Sequence, residues 1–230
     1  MRRVSRLVAS AIACLSMVAL TTPAAAIINP NAGTVTAIHG IPGLSAPVDL
    51  LVSGTKLLDF QFGDVEGPLT VPSGSYFIEL QLRGTTVLSS TLTVLPGSDY
   101  TLIAHLLEGG GTTVTLFRNS TAFFPRGSSL QFRHTANAPP VFAELRWGRS
   151  GSLLATSPPV KNGDELPPIV LLPTRYTLNV RNNGDGSLIS RVAVRLNPRT
   201  RQIIYAVGSL SGGTLTFIVQ EIPLSRVRIY

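Results

Sequence analysis

The chain has 230 residues and a single cysteine, Cys14. One thiol cannot close an intrachain disulfide or supply a thiolate zinc centre. Charge is also scarce, at 13% of residues, and aromatics make up 7% with one tryptophan. A disordered chain would be polar and charged, whereas this one is 44% hydrophobic. A helix bundle is disfavoured by 21 glycines and 17 prolines, and no segment sustains a 3.6-residue apolar period. The motifs of common enzyme sites are missing as well. There is no Gly-x-Ser-x-Gly elbow, no Gly-x-Gly-x-x-Gly, no P-loop, and no His-x-His or His-x-x-x-His.

The N-terminus has a composition of its own. Arg2, Arg3 and Arg6 precede an apolar run from Leu7 to Leu20, which is short for a span of about 20 residues. "TTPAAA" then offers Ala24 and Ala26 at small-residue positions. Residues 1–26 are therefore expected to be a secretory signal peptide cleaved before Ile27, with a membrane anchor as the alternative. "AIAC" weakly resembles a lipoprotein signal, but the apolar run continues past Cys14 instead of ending there. After cleavage the mature chain would hold no cysteine and no transmembrane span. It would be exported, to the periplasm or the cell surface, and would depend on packed core alone for stability.

What is present is a repeat. "GTVTAIHG" and "SSLQFRHT" each alternate and end in histidine, His39 and His134. Ten residues after each histidine stands an acid, Asp49 and Glu144. "VPSGSYFIEL" has its counterpart in "LPTRYTLNV", "LSSTLTVLPGSDYTLIA" in "LISRVAVRLNPRTRQIIYAV", and "GGGTTVTLF" in "SGGTLTFIV". Six landmarks in one order indicate a tandem duplication, residues 27–118 and 119–230, joined near 118–128. Residues 27–118 carry three basic and seven acidic side chains; residues 119–230 carry thirteen and five.

Within the repeats Tyr76, Ile78, Leu80 and Leu82 alternate with Glu79, Gln81 and Arg83, the period-two signature of a strand. Hairpins are expected at 76–83 with 86–94, and at 175–181 with 188–196 around "NNGDG". Many short strands with one apolar face imply all-β architecture: two tandem immunoglobulin-like antiparallel β-sandwiches. An eight-stranded outer-membrane barrel is the competing β architecture, opposed by prolines that would interrupt its ladders.

The first repeat also resembles a bacterial exported family called domain of unknown function 4397. The resemblance rests on His39, Pro42, Ala46, Pro47, Val48 and Asp49, then Val71, Pro72, Gly74 and Tyr76, then Gly97, Tyr100 and Thr101. The second repeat departs from it, with Glu144 for the aspartate, Arg175 before Tyr176, and Gln202 near the second tyrosine position. The resemblance implies an immunoglobulin-like sandwich at or outside the cell envelope, and brings no catalytic residue.

The candidate site residues follow from these patterns. His39 with Asp49, and His134 with Glu144, are expected as structural pairs fixing the first two strands of each repeat, with an acid–base pair as the functional alternative. No cofactor or metal is expected; a calcium loop at "NNGDGS" would lack its closing acid. Arg181, Arg191 and Arg195 should share the polar face of one sheet, with Arg199 and Arg201 at its end, making an anion-binding face. The competing readings are a solvated surface or a partner for the acidic first repeat. Nucleic acid is not an expected partner, since no aromatics interleave the arginines. The expected function is a non-enzymatic structural, adhesive or interaction role at the cell envelope, acting on an envelope polymer or another envelope protein. The alternative is a carbohydrate- or anionic-polymer-binding module that uses the cationic face.

Overall fold

A computed structural model describes residues 31–44, 46–120 and 127–224. The expected signal peptide, Cys14 and the C-terminal "SRVRIY" lie outside the described residues.

The described residues form strands and turns with no helix. The first eight strands are β1 (Ala32–His39), β2 (Val48–Val52), β3 (Thr55–Phe60), β4 (Val65–Pro72), β5 (Gly74–Leu82), β6 (Thr85–Val94), β7 (Asp99–Leu106) and β8 (Thr112–Asn119). They build two sheets, β4-β1-β7-β8 and β3-β2-β5-β6. The next eight are β9 (Ser128–His134), β10 (Val141–Trp147), β11 (Leu153–Thr156), β12 (Ile169–Leu171), β13 (Arg175–Asn182), β14 (Leu188–Arg195), β15 (Thr200–Val207) and β16 (Thr216–Pro223). Their sheets, β12-β9-β15-β16 and β11-β10-β13-β14, repeat the first order strand for strand. Among the described residues every sheet has two edges, and no barrel closes.

Alternation explains each sandwich. Ile78 and Leu80 on β5 face Leu92 and Val94 on β6, Val48 and Leu50 on β2, and Tyr100 and Leu102 on β7 within one core. Leu130, Phe132, Leu145, Leu178, Val194 and Ile204 occupy the second core. The β5–β6 turn is Arg83-Gly84, both at positive φ (51° and 79°), the mirror-image turn whose twist matches that of its strands. Both expected hairpins form. The antiparallel expectation holds for every pair except two: β1 runs parallel to β7, and β9 to β15. In each repeat the first strand lies beside the seventh, so a crossover between sheets, and not a tight turn, joins them.

The central strands break the alternation. β9 and β15 are buried at every position, and β1 and β7 nearly so. A strand buried on both faces must have a layer on each side. Here the sheet containing β1 packs against the sheet containing β9. Ile38, Ile103 and Phe117 meet Ile203, Tyr205, Val207, Ile218 and Ile222 in a third apolar cluster. Gly40 lets the chains approach, since a Cβ there would sit 3.1 Å from Val207 Cγ1. The described residues form four stacked sheets with three cores.

Polar groups are threaded through the middle core. Arg133 on β9 is fully buried. Its Nε pairs with Glu165 at 2.7 Å, and its Nη1 donates to Asn119 Oδ1 at 2.9 Å and to the Tyr205 hydroxyl. Its guanidinium lies 4.4 Å from the Phe117 ring centre, a cation–π contact across the two repeats. Asn119 donates to Thr101 and Asp99, and Thr101 and Tyr205 both donate to Gln220 Oε1.

Candidate functional site: the histidines and the cationic face

The three histidines lie inside. His39 ends β1, buried, with its ring stacked on Phe60 at 5.9 Å. Burial lowers its pKa to about 4, against a small upward pull from Asp64. His105 bonds the Leu106 carbonyl through Nδ1 at 3.0 Å and the Thr115 hydroxyl through Nε2 at 2.8 Å. A neutral ring has one donor and one acceptor, so Nδ1–H donates and Nε2 accepts. His134 Nε2 meets the Pro139 carbonyl at 3.1 Å. Burial pushes both rings below their ordinary pKa.

The expected His–acid pairs do not form. Asp49 bonds Lys56 at 2.8 Å, and Lys56 also holds Asp59 at 2.7 Å. Glu144 is held by Arg146, Arg181 and Asn179. The reason is strand parity. Val48 and Leu50 point into the first core and Ala143 and Leu145 into the second, so Asp49 and Glu144 point outward. β2 and β10 also belong to the sheets opposite β1 and β9. Ten residues of separation put the acid on the far side of the sandwich from its histidine.

The arginine face divides into three places. Arg181, Arg191 and Arg195 do lie on β13 and β14, as expected. Arg199 instead sits in the β14–β15 turn at φ 58°, where its carbonyl accepts from Leu224 N. Arg201 is fully buried on β15, donating to Ser129 Oγ at 2.9 Å and to the Ser120 carbonyl. Burial, then Arg133, lower its pKa, while Glu165 and Asp99 oppose this. Arg201 is therefore not on the outer face; its bonds go to Ser129 and Ser120, and the Asp99 carboxylate of the first repeat acts on it electrostatically.

The outer face is built by register. Glu144, Asn179 and Arg191 stand side by side on β10, β13 and β14; Arg146 lies beside Thr177. Glu144 accepts from Arg146 Nη2 at 3.0 Å, and Arg181 Nε lies 3.0 Å from its other oxygen as an ion pair. Arg191 Nε donates to Asn179 Oδ1 at 3.2 Å. Burial alone would raise the Glu144 pKa, but the bonds from Arg146, Arg181 and Asn179 outweigh it and hold the carboxyl below its ordinary value. Arg146, Thr177, Asn179, Arg181 and Arg191 line a polar depression of about 380 Å³. Three guanidiniums, two of them paired with the one carboxylate of Glu144, leave a surplus of positive charge. At the end of the hairpin Arg175 and Arg195 stand directly opposite each other, both exposed. Like charges in that position repel until an anion or solvent screens them.

Arg146 was not among the expected residues, although its place two positions after Glu144 puts it on the same face. Trp147 stacks on Tyr176 at 5.3 Å and is exposed. Asp185 in "NNGDGS" accepts from Ser187 N and Oγ, so its oxygens close the hairpin tip. Among the described residues no three His, Cys, Asp or Glu side chains converge to hold a metal.

Residues 33–143 match the family model described as Domain of unknown function (DUF4397), as the opening motifs led us to expect. The match covers β2 to β8 and most of β1, and runs on through β9 to Ala143. No curated protein matches the chain. Among solved structures the chain is similar to the Bacillus anthracis TIE protein, at 10% identity and a TM-score of 0.27, over 76% of this chain and 33% of that one. It thus spans about a third of that protein's length. It is also similar to a "putative cell adhesion protein" from Bacteroides ovatus, at 12% identity and a TM-score of 0.24, over 83% of this chain and 96% of that one.

Proposed function

We propose that this chain, whose residues 33–143 match the DUF4397 family, is an exported, non-enzymatic β-sandwich module that contacts an anionic partner at the cell envelope through the outer face of β10, β13 and β14. The observation that carries this reading is the unbalanced charge of that face. Arg146 and Arg181 pair with one carboxylate, Arg191 stands beside them on Asn179, and Arg175 opposes Arg195 without an acid between them. Guanidiniums already held by Glu144, Asn179 and the Gly151 and Gly186 carbonyls are oriented before a partner arrives. Preorganised arginine forks recognise carboxylate, sulfate or phosphate groups. The buried histidines support a non-enzymatic role, since His105 and His134 are bonded to neighbouring groups and His39 is stacked inside a core.

The test is binding of the purified chain to envelope polymers at low and high salt. Salt-sensitive binding that is lost in Arg191→Ala/Arg195→Ala supports the reading. Absence of binding at low salt would sink it and leave a structural role, with the stacked sheets as a rigid spacer.

A further inference from the structure

The second sandwich has an opening that the first fills. Between the edge strands β11 and β12 a cavity of about 270 Å³ enters the core, lined by Leu130, Phe132, Leu145, Ile169 and Leu178, with Ser157 at its side. Its polar groups are already engaged: Gln131 donates to Glu165 and Leu166, and the Ser157 hydroxyl donates to the Pro158 carbonyl.

The repeat shows why the space is there. In the first sandwich Phe60 stands opposite Val48 and is buried in the core. In the second, the residue opposite Ala143 is Ser157, joined to it by two hydrogen bonds. A phenyl group and two methyls are thereby removed from the β10–β11 side, while Phe132, at the register position of Ala37, adds a phenyl on the facing sheet, so the apolar volume is redistributed and the β11 edge is left open. Apolar cavities of about 150 Å³ stay dry and take up benzene-sized molecules. Leaving this one empty would forfeit the dispersion contacts that Phe60 makes in its counterpart.

We infer that this cavity binds the hydrocarbon chain of an amphiphile, entering between β11 and β12 in the place that Phe60 occupies in the first repeat. The mouth fits such a ligand. Ile169, which lines the cavity, is itself exposed, so a chain longer than the cavity continues over apolar surface. An added peptide strand would need free backbone donors at these edges. β11 spans four residues and β12 three, and Pro158, Pro159, Pro167, Pro168 and Pro173 flank them. Prolines on an edge remove those donors. The inference is independent of the cationic face, which lies on the outer surface of the β10 sheet.

The test is titration of the purified chain with dodecanoate, read by methyl NMR, beside a parallel titration with phosphatidylcholine vesicles. One dodecanoate per chain is expected, shifting methyls of Leu130, Leu145 and Leu178 and leaving those of Leu50 and Leu80 in place. Ser157→Phe, which restores the first repeat's residue, should weaken binding by roughly tenfold or more. The same shifts with vesicles alone would support the site and make bilayer lipid its source. No saturable binding, vesicle association without these shifts, or unchanged affinity in a folded Ser157→Phe chain would overturn it. If that variant fails to fold, the methyl shifts in the native chain decide.

Discussion

Arg133 shows how much one residue can hold. It joins Glu165, Asn119, Tyr205 and the Phe117 ring across the middle core. Glu165 is partly exposed, so the cost of losing Arg133 lies in the buried Asn119 and Tyr205 groups deprived of its donors, at about 1–3 kcal/mol for each buried group left unsatisfied. Arg133→Ala is expected to lose that much, measured by urea unfolding; a loss below about 1 kcal/mol, the size of a surface ion pair, would show the network to be dispensable. The histidines give a pH prediction of definite sign. His39 binds a proton near pH 4 when folded but near 6.5 when unfolded. Between those values the unfolded state holds more protons, so stability rises with pH across the window and is flat above it. His105 and His134 act in the same direction. Chemical denaturation from pH 7 down to 4 should show this fall, and His39→Gln should make it shallower, leaving the part due to His105 and His134. At this scale the sequence was partly legible. The histidines lie buried at the ends of their strands, but the acids expected beside them lie on the opposite sheet, because counting along the chain does not reveal which sheet the next strand joins.

Single strands were the most legible level. The hairpins β5–β6 and β13–β14 follow from period-two alternation and turn residues, both local properties. At Gly84, φ is 79°, a region that costs a residue with a Cβ about 1–2 kcal/mol. Gly84→Val should lose that amount with the fold unchanged in circular dichroism. Harder to read were strands buried on two faces. "TLIAHLL" and "IIYAV" carry unbroken apolar runs where one-sided strands would alternate, and that was the available sign that β7 and β15 have layers on both sides. Polar residues in β9 masked the same fact: Ser129, Gln131 and Arg133 look like a solvent face but are all buried.

For the molecule as a whole, the shared core between the repeats sets the unfolding behaviour. With Ile203 and Tyr205 fully buried between the sheets, the sandwiches should melt in one calorimetric transition. Ile203→Asp buries an unpaired charge in that layer and should separate the transition into two. Two transitions in the unmodified chain would contradict the coupling. The asymmetry of charge between the halves also has a place in the fold. Register aligns Asp99 on β7 with Arg201 on β15, and Ile38 on β1 with Arg133 on β9, so the same face carries different chemistry in each repeat.

Such an arrangement is an internal pseudo-dimer: one surface used twice, each copy covering the other. A chain holding either repeat alone would expose an apolar sheet with no mate. Two copies of the second would bring Arg133 and Arg201 against their own kind, whereas first against second meets Asn119 and Asp99. A third repeat would find no face left, so growth by this contact stops at two.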